Sequence, residues 1–184
     1  GIRTSIAKDD GQQSELLFAQ SYRFAGSSSF GEASGLEHKK SDYIGRFTFF
    51  PNDAFNINYR FRLDRQNFSP NRVELGLNLF HPQHTMGLDY ILIDEQSETE
   101  EFGNLEQLDL NINSQLLENW TSSLQLVQDF KDNSNRTIKA SLGVTYTDEC
   151  FTIGLQYQRE DMSGEELQPD DQVLLLINLS LIHI

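Results

Sequence analysis

Apolar and polar residues alternate along most of this chain, a period typical of β-strands with two different faces. The clearest stretch is AFNINYRFRLD, residues 54–64, in which aromatic and aliphatic residues occupy one face and Asn, Arg and Asp the other. No stretch shows apolar residues at helical spacing. The pattern predicts about ten strands of a length that crosses a bilayer at a barrel tilt. These strands are expected at 14–24, 41–50, 54–64, 72–80, 85–92, 107–113, 120–129, 138–146, 151–158 and 173–181.

The connections between these strands alternate in length. Short connections are expected at 51–54, 81–84, 115–119 and 147–149, and long ones at 25–40, 65–71, 94–103, 131–135 and 159–171. The short turns favour an antiparallel meander, because parallel strands need long crossovers. Alternation of short and long connections is typical of outer-membrane barrels, which have tight periplasmic turns and longer outer loops.

Composition narrows the class of protein. The net charge is −14, from 28 acidic and 14 basic residues, which argues against nucleic acid as a partner because phosphate binding needs a basic surface. Mean hydropathy is −0.49, and no 18-residue apolar run suggests a transmembrane helix. The chain has one cysteine, so an internal disulfide and a Cys-based zinc site are not expected. Because it lacks an initiator Met and a charged-then-apolar leader, we expect a mature product or an excised fragment.

The composition of the polar face favours a wet lumen. This face is rich in Asn, Gln, Ser, Thr and Gly and has few Lys or Glu, which abound on surfaces that meet bulk water. Aromatic residues also gather near strand ends, as in the interfacial girdles of membrane barrels. The predicted fold is therefore all-β, an antiparallel up-and-down transmembrane β-barrel of about ten meander strands. Lipid is expected to meet Leu75, Leu77, Leu88 and Leu142, whereas the lumen lining is predicted to include Asp42, Arg46, Arg60, Arg62, Glu74 and Asp89.

Cross-strand neighbours can be anticipated on the lumen side. The turns after residues 50 and 64 should place Asp42, Arg62 and Glu74 side by side as a charge ladder. Such a ladder would neutralise the charges on the lumen wall and keep that wall hydrophilic.

The sequence offers few groups for chemistry. It contains no Gly-rich phosphate loop, nucleophile elbow or HExxH motif, and we expect neither an enzyme nor a cofactor. Only His38 falls on a long loop, and His81 and His84 share one short turn without a nearby carboxylate, so no metal site is predicted. Two long loops are strongly acidic, around 94–101 and 160–171. They are either solvated loops or a place where divalent cations are shared with anionic glycolipid head groups.

Several motifs resemble those of a known family. They are Ser21-Tyr22-Arg23-Phe24, Ser34-Gly35-Leu36, SDYIGR at 41–46, YRFRLD at 59–64, NRVEL at 71–75, and YTDECF at 146–151 with YQR at 157–159 and Pro169-Asp170 after it. These motifs are similar to the C-terminal barrel of LptD, the lipopolysaccharide-assembly outer-membrane protein family, in its alphaproteobacterial form. The similarity spans roughly residues 12–182.

The resemblance implies a translocon component that inserts lipopolysaccharide into the outer leaflet of the bacterial outer membrane. It also implies a larger barrel, of which residues 1–184 would be a single C-terminal segment, preceded by further strands and an N-terminal periplasmic domain. The implied partners are lipopolysaccharide, outer-membrane lipid, an LptE-like plug lipoprotein and the periplasmic lipopolysaccharide-transport bridge.

The resemblance also suggests roles for two sites. Cys150 would form an interdomain disulfide with the periplasmic domain, in an oxidising compartment that favours such bonds. The last strand would form one side of the lateral gate through which lipid leaves; the expected gate residues are Val173, Leu174, Leu175, Leu176, Ile177, Asn178 and Leu179, with the strand continuing to Leu181.

Two alternatives remain open. The first is a self-contained ten-stranded outer-membrane barrel, a small pore or an adhesin. The second is a soluble ligand-binding barrel, which would be soluble as a monomer without detergent.

Overall fold

The computed structural model describes residues 1–8, 12–27, 29–30, 34–94, 104–130, 135–161 and 170–179. These residues form eleven antiparallel strands in one sheet, and each strand lies beside its neighbours in sequence. The strands are β1 Ile2–Ala7, β2 Gln13–Ala19, β3 Tyr43–Asn52, β4 Phe55–Leu63, β5 Pro70–His81, β6 His84–Ile93, β7 Leu105–Leu117, β8 Trp120–Asp129, β9 Arg136–Thr147, β10 Phe151–Glu160 and β11 Asp170–Leu179. The all-β antiparallel meander predicted from the sequence is confirmed. Within the described ranges, no helix is long and apolar enough to cross a membrane.

The structure differs from the prediction at the N-terminal end of the sheet. β1 is an additional strand, so the described residues hold eleven strands where the pattern predicted about ten. β2 ends at Ala19, not at residue 24, and beyond it Tyr22 makes only an isolated bridge with Lys40. A six-residue strand gives too short an alternation to stand out in the sequence, and its pairing with β2 identifies it.

The chain comprises two compact units, one of residues 1–78 and 89–107 and the other of residues 79–88 and 108–184. In the first unit, β3 pairs with β2 and β4 in a register that places Arg46 opposite Leu17 and Arg60. Side chains alternate between faces along each strand. Arg46, Arg60 and Leu17 therefore share one face, which we call the polar face, and Phe47 and Tyr59 share the other, the apolar face.

In the second unit, β9 pairs with β8 and β10, and β10 pairs with β11. Leu142 lies opposite Leu124 on one side and Tyr157 on the other. These three residues define the apolar face of this unit. Its polar face carries Ser141 and Gly143 from β9.

Burial is inverted relative to a soluble domain. No hydrophobic side chain in the described residues is buried, whereas the polar residues Ser41, Asp42 and Asn56 are. Leucines at the middle of the apolar face are open, and Leu142 and Leu155 are each 55% exposed. Soluble monomers rarely expose contiguous apolar surface of this kind.

Close packing on the apolar face requires glycine at residue 45. Gly45 pairs with Phe61 across β3 and β4, and the Phe61 ring lies over the glycine so closely that a Cβ there would overlap it. Phe61 also contacts the ring of Tyr59, with centroids 5.6 Å apart, and that of Phe18 at 6.3 Å. The glycine thus lets an aromatic cluster lie flat against the sheet.

Candidate functional site

The polar face of the first unit carries three tiers of side chains, which follow the strands from the short-turn end to the long-loop end. The lowest tier consists of amides. Asn56 Oδ1 accepts hydrogen bonds from Asn58 Nδ2 at 3.1 Å and from Asn78 Nδ2 at 3.0 Å. Because Asn56 is only 8% exposed, this pair of bonds satisfies an oxygen that would otherwise lose its hydration.

The middle tier is a row of charges that crosses five strands, which we call the arginine ladder. Its members are Arg3, Glu15, Arg46, Arg60, Glu74 and Arg72. Glu15 pairs with Arg3 at 2.9 Å and also with Arg46. Glu74 pairs with Arg60 at 3.3 Å and with Arg72 at 2.6 Å. Each carboxylate is therefore shared by two guanidinium groups.

The top tier surrounds Asp42 at the long-loop end. The Asp42 carboxylate accepts a hydrogen bond from Asn71 Nδ2 at 2.9 Å and from the backbone N–H of Arg65 at 3.3 Å, and it lies 3.7 Å from Arg62 Nε. Its side chain is 5% exposed and that of Arg62 18%. These residues line a basin of about 310 Å³, which we call the loop-end basin and which also includes Asp94.

The loop between β2 and β3 is held against this basin. Gly35 accepts a hydrogen bond from the backbone N–H of Asp42 at 2.9 Å and has a φ of +71°. A Cβ at residue 35 would lie 2.8 Å from Asp42 Oδ2, so both the backbone conformation and the space favour glycine. At the base of the loop, Ser21 and Ser41 are joined by two hydrogen bonds, one between backbones and one from the Ser21 N–H to the Ser41 hydroxyl.

The turn that follows β4 forms another side of the basin. Asp64 Oδ1 accepts hydrogen bonds from the backbone N–H groups of Asn67 at 3.0 Å and Gln66 at 2.7 Å. These bonds lower the pKa of the Asp64 carboxyl below its usual range. In the same turn Phe68 adopts a φ of +60° and stacks on Tyr43 with ring centroids 4.9 Å apart. The turn therefore fixes an aromatic ring at this end of the apolar face.

The polar face of the second unit is built largely from small and amide residues, and its charged side chains include Asp109 and the ion pair of Lys139 with Glu160. A Cβ at Gly143 would lie 2.6 Å from the Ser123 hydroxyl, and one at Gly87 would lie 2.6 Å from Asn111 Nδ2. Gln125 Nε2 donates to Asp109 Oδ2 at 2.9 Å. Polar side chains thus fill the space above the glycines, in contrast with the charged tiers of the first unit.

Strand β11 is apolar on both faces. Leu175 and Ile177 lie opposite Leu155 and Ile153 on the apolar face. Leu174 and Leu176 lie on the polar face, opposite Gln156 and Gly154, and are 48% and 60% exposed. The sequence had shown apolar residues at consecutive positions here, and the register assigns them to the two faces. The end of the expected strand, residues 180–181, lies outside the described residues.

The short-turn end of the second unit carries the cysteine and an aromatic cluster. Cys150 is exposed in a turn closed by a hydrogen bond from the backbone N–H of Asp148 to the Phe151 carbonyl at 2.9 Å. Tyr146 contacts both Trp120 and Phe151, with ring centroids 5.1 Å and 5.6 Å apart. The cluster lies at strand ends, where the sequence predicted an aromatic girdle.

The two histidines of the HPQH turn stack on each other, with ring centroids 5.4 Å apart. His81 Nδ1 accepts a hydrogen bond from the backbone N–H of Gln83 at 3.3 Å. Among the described residues, no group of three or more His, Cys, Asp and Glu is arranged to hold a metal ion. Most of both acidic loops, residues 95–103 and 162–169, lies outside the described residues, so the cation hypothesis made for them stays a prediction.

The structure revises the charge ladder expected from the sequence. Arg62 does lie beside Asp42, but Glu74 pairs with Arg60 and Arg72 instead of Arg62. The reason is the register: Arg60 and Arg62 lie on the same face two residues apart, and only the strand pairing decides which of them reaches Glu74. The remaining predicted residue, Asp89, lies beside Gly76 of β5, where a Cβ would be 2.9 Å from its Oδ1.

Sequence reasoning missed two members of the arginine ladder, Arg3 and Glu15. Both lie on the shortest strands of the sheet, β1 and β2. The alternation of Ile2, Thr4 and Ile6 with polar residues was the available signal for β1.

A family model described as LptD, LPS transport system D, matches residues 1–120, which include the three tiers of the polar face and strands β1 to β7. No curated protein matches the chain.

Proposed function

The chain belongs to the LptD family, whose role is lipopolysaccharide transport and assembly at the outer membrane, and we propose that it forms part of the translocon that inserts lipopolysaccharide into the outer leaflet. The observation that carries this proposal is the inverted burial of the sheet. Leucine side chains at mid-strand are exposed, whereas Asp42 and Asn56 are buried. A wall that meets lipid on one side and passes saccharide along the other requires this arrangement.

We further propose that residues 1–184 are one segment of a larger barrel, with the periplasmic domain and the additional strands that the family resemblance implies. On this proposal the LptE-like plug and the periplasmic bridge are its partners. The alternative of a self-contained ten-stranded pore was based on the length of the chain and on an even strand number, which bacterial barrels of one chain show. The eleven strands of the described residues give it no support.

Depletion of the full-length protein in its host tests the proposed function. We expect lipopolysaccharide at the cell surface to fall and to accumulate on the periplasmic side, as measured by labelling of intact and of permeabilised cells. Uptake of small hydrophilic solutes, measured in parallel, is expected not to fall, whereas loss of a pore would lower it. Unchanged surface lipopolysaccharide after depletion would contradict the proposal.

We propose that β11 forms one side of the lateral gate. A strand that lipid passes must be compatible with acyl chains on both faces, and Leu174 and Leu176 supply apolar side chains on the polar face, where the neighbouring β10 carries Gln156 and Gly154. Cross-linking a cysteine at Leu175 to the strand across the seam should block export. The matched control is a cross-link between residues 153 and 177, which already pair within the sheet and should leave export intact. Normal export with the seam fully cross-linked would exclude the gate.

We propose that Cys150 forms a disulfide with a cysteine of the periplasmic domain. Its exposure in a short turn supports this, because an exposed thiol in an oxidising compartment tends to pair. Cys150→Ser in the full-length protein should abolish the mobility difference between reduced and non-reduced gels and lower the yield of assembled translocon. Identical non-reduced mobility with and without Cys150 would show that the bridge does not form.

A further inference from the structure

The arginine ladder holds more positive charge than its own ion pairs require. Four guanidinium groups share two carboxylates, Glu15 and Glu74, which leaves a net charge of +2 on this tier. The whole chain carries −14. The surplus is therefore a local feature of the polar face and not a consequence of composition.

The excess positive charge lies at a position where it destabilises the pairing of β3 with β4. Arg46 and Arg60 are directly opposite each other on β3 and β4, and like charges at opposed positions destabilise a sheet. Each of their carboxylate partners has a second arginine, Arg3 for Glu15 and Arg72 for Glu74. Neither Arg46 nor Arg60 is needed to neutralise its partner.

The guanidinium groups project further from the sheet than the carboxylates. Side chains of Arg46 and Arg60 are 46% and 63% exposed, whereas those of Glu15 and Glu74 are 23% and 26% exposed. An arginine has five N–H donors, and both side chains keep a large part of their surface open above the polar face. A basin of about 270 Å³ adjoins the ladder and is lined by Glu15, Arg46 and Thr48 among others.

Two neighbouring guanidinium groups suit an oxyanion that offers several acceptor oxygens, since arginine binds phosphate and carboxylate in a bidentate manner. We propose that Arg46 and Arg60 form a binding site for an anionic group, phosphate or carboxylate, on the saccharide of the transported glycolipid. This inference rests on the proposed export function and assigns one contact to it. The site holds the anionic group weakly, because both guanidinium groups are open to water.

A photo-cross-linking residue in place of Leu17 tests the site in the full-length protein in cells. Leu17 is opposite Arg46 on one side and Arg3 on the other, so it reports on a saccharide held at the ladder. The adduct with native lipopolysaccharide is read on immunoblots. R46Q and R60Q should each lower it about threefold, the scale of one solvent-accessible charge interaction, and the double variant should lower it further.

The matched control is R159Q. Arg159 is also a half-exposed strand arginine paired with a carboxylate, Asp171 at 4.0 Å, but it shares the face of Tyr157 and Leu155. This variant removes the same charge from the apolar face of the second unit and should leave the adduct unchanged. Because R46Q and R60Q leave Glu15 and Glu74 each with one arginine, both variants should assemble, which heat-modifiable gel mobility checks. If the double variant does not assemble, the R46K/R60K double variant serves instead. It keeps both positive charges but loses the planar guanidinium groups that bind an oxyanion in a bidentate manner, so it should still lower the adduct.

The chemistry of the anion is distinguished with purified protein and modified lipopolysaccharide. Loss of the adduct after removal of the saccharide phosphates identifies phosphate, and loss after reduction of the carboxyl groups identifies carboxylate. An adduct that neither treatment lowers, or that the assembled double variant keeps at the wild-type level, overturns the site. Normal surface lipopolysaccharide in that variant would leave the export function standing, whereas only the depletion experiment can overturn that function.

Discussion

Substituting Leu142 by arginine tests which face of the sheet meets lipid. Leu142 lies on the apolar face of β9 between Leu124 and Tyr157, and it is 55% exposed. Neighbouring side chains therefore cover only part of it. On a water-exposed surface such a substitution would change stability by no more than about 0.5 kcal/mol.

The position of Leu142 along its strand sets the expected cost. Six residues separate it from Arg136, where β9 begins at the long-loop end, which is about 20 Å at about 3.3 Å per residue. A strand tilt of about 40° reduces this to a depth of about 15 Å within an apolar band about 25 Å tall. Leu142 then lies near the midplane, where arginine on the lipid face costs about 2–4 kcal/mol.

The matched control is Ser141→Arg on the same strand. Ser141 lies at nearly the same depth on the polar face, opposite Gln125 and Gln158. Its replacement by arginine should cost less than about 1 kcal/mol because the new side chain enters water. The full-length protein is refolded into lipid vesicles, and the free energy of unfolding is measured by denaturant titration. Equal penalties at residues 141 and 142, or no penalty at 142, would refute the assignment of the faces.

Three further substitutions test the loop end and the glycine contact. Asp42→Ala should destabilise the protein by about 1–3 kcal/mol, because it leaves Asn71 Nδ2 and the backbone N–H of Arg65 without the carboxylate that accepts their hydrogen bonds. Asp42→Asn, which keeps an acceptor for Asn71, should cost less in the same denaturant titration. Asp64 has a lowered pKa in the folded state, so the stability it provides is present above its unfolded pKa, about 4, and is lost as pH falls through the lower folded value. Asp64→Asn should make the free energy of unfolding depend less on pH below about pH 5. The same pH dependence in both proteins would show that the turn hydrogen bonds have no such effect. Gly45→Ala should cost about 1–3 kcal/mol because its Cβ displaces the Phe61 ring, and an unchanged unfolding midpoint would contradict this packing.

The sequence by itself determined ten of the eleven described strands and the faces of those in which apolar and polar residues alternate. Period-two alternation in segments such as 54–64 specifies which side chains lie together on one side of a strand, because successive side chains point to opposite faces. Because alternation is a property of one strand, it can be recognised without knowing which strands pair with each other. It predicted the meander and the shared polar face of Asp42, Arg60 and Arg62.

Only the tertiary structure decided which charges meet. The pairing of Glu74 with Arg60 depends on the register of β4 and β5. The opposition of Arg46 and Arg60 depends on that of β3 and β4, where the register shifts between Phe49 and Asn52. Register depends on turn geometry and on contacts between strands, which no single strand encodes. The opposition of Arg46 and Arg60 and the contact of Gly35 with Asp42 arise in the same way, since each joins residues 14 and 7 positions apart through folded backbone.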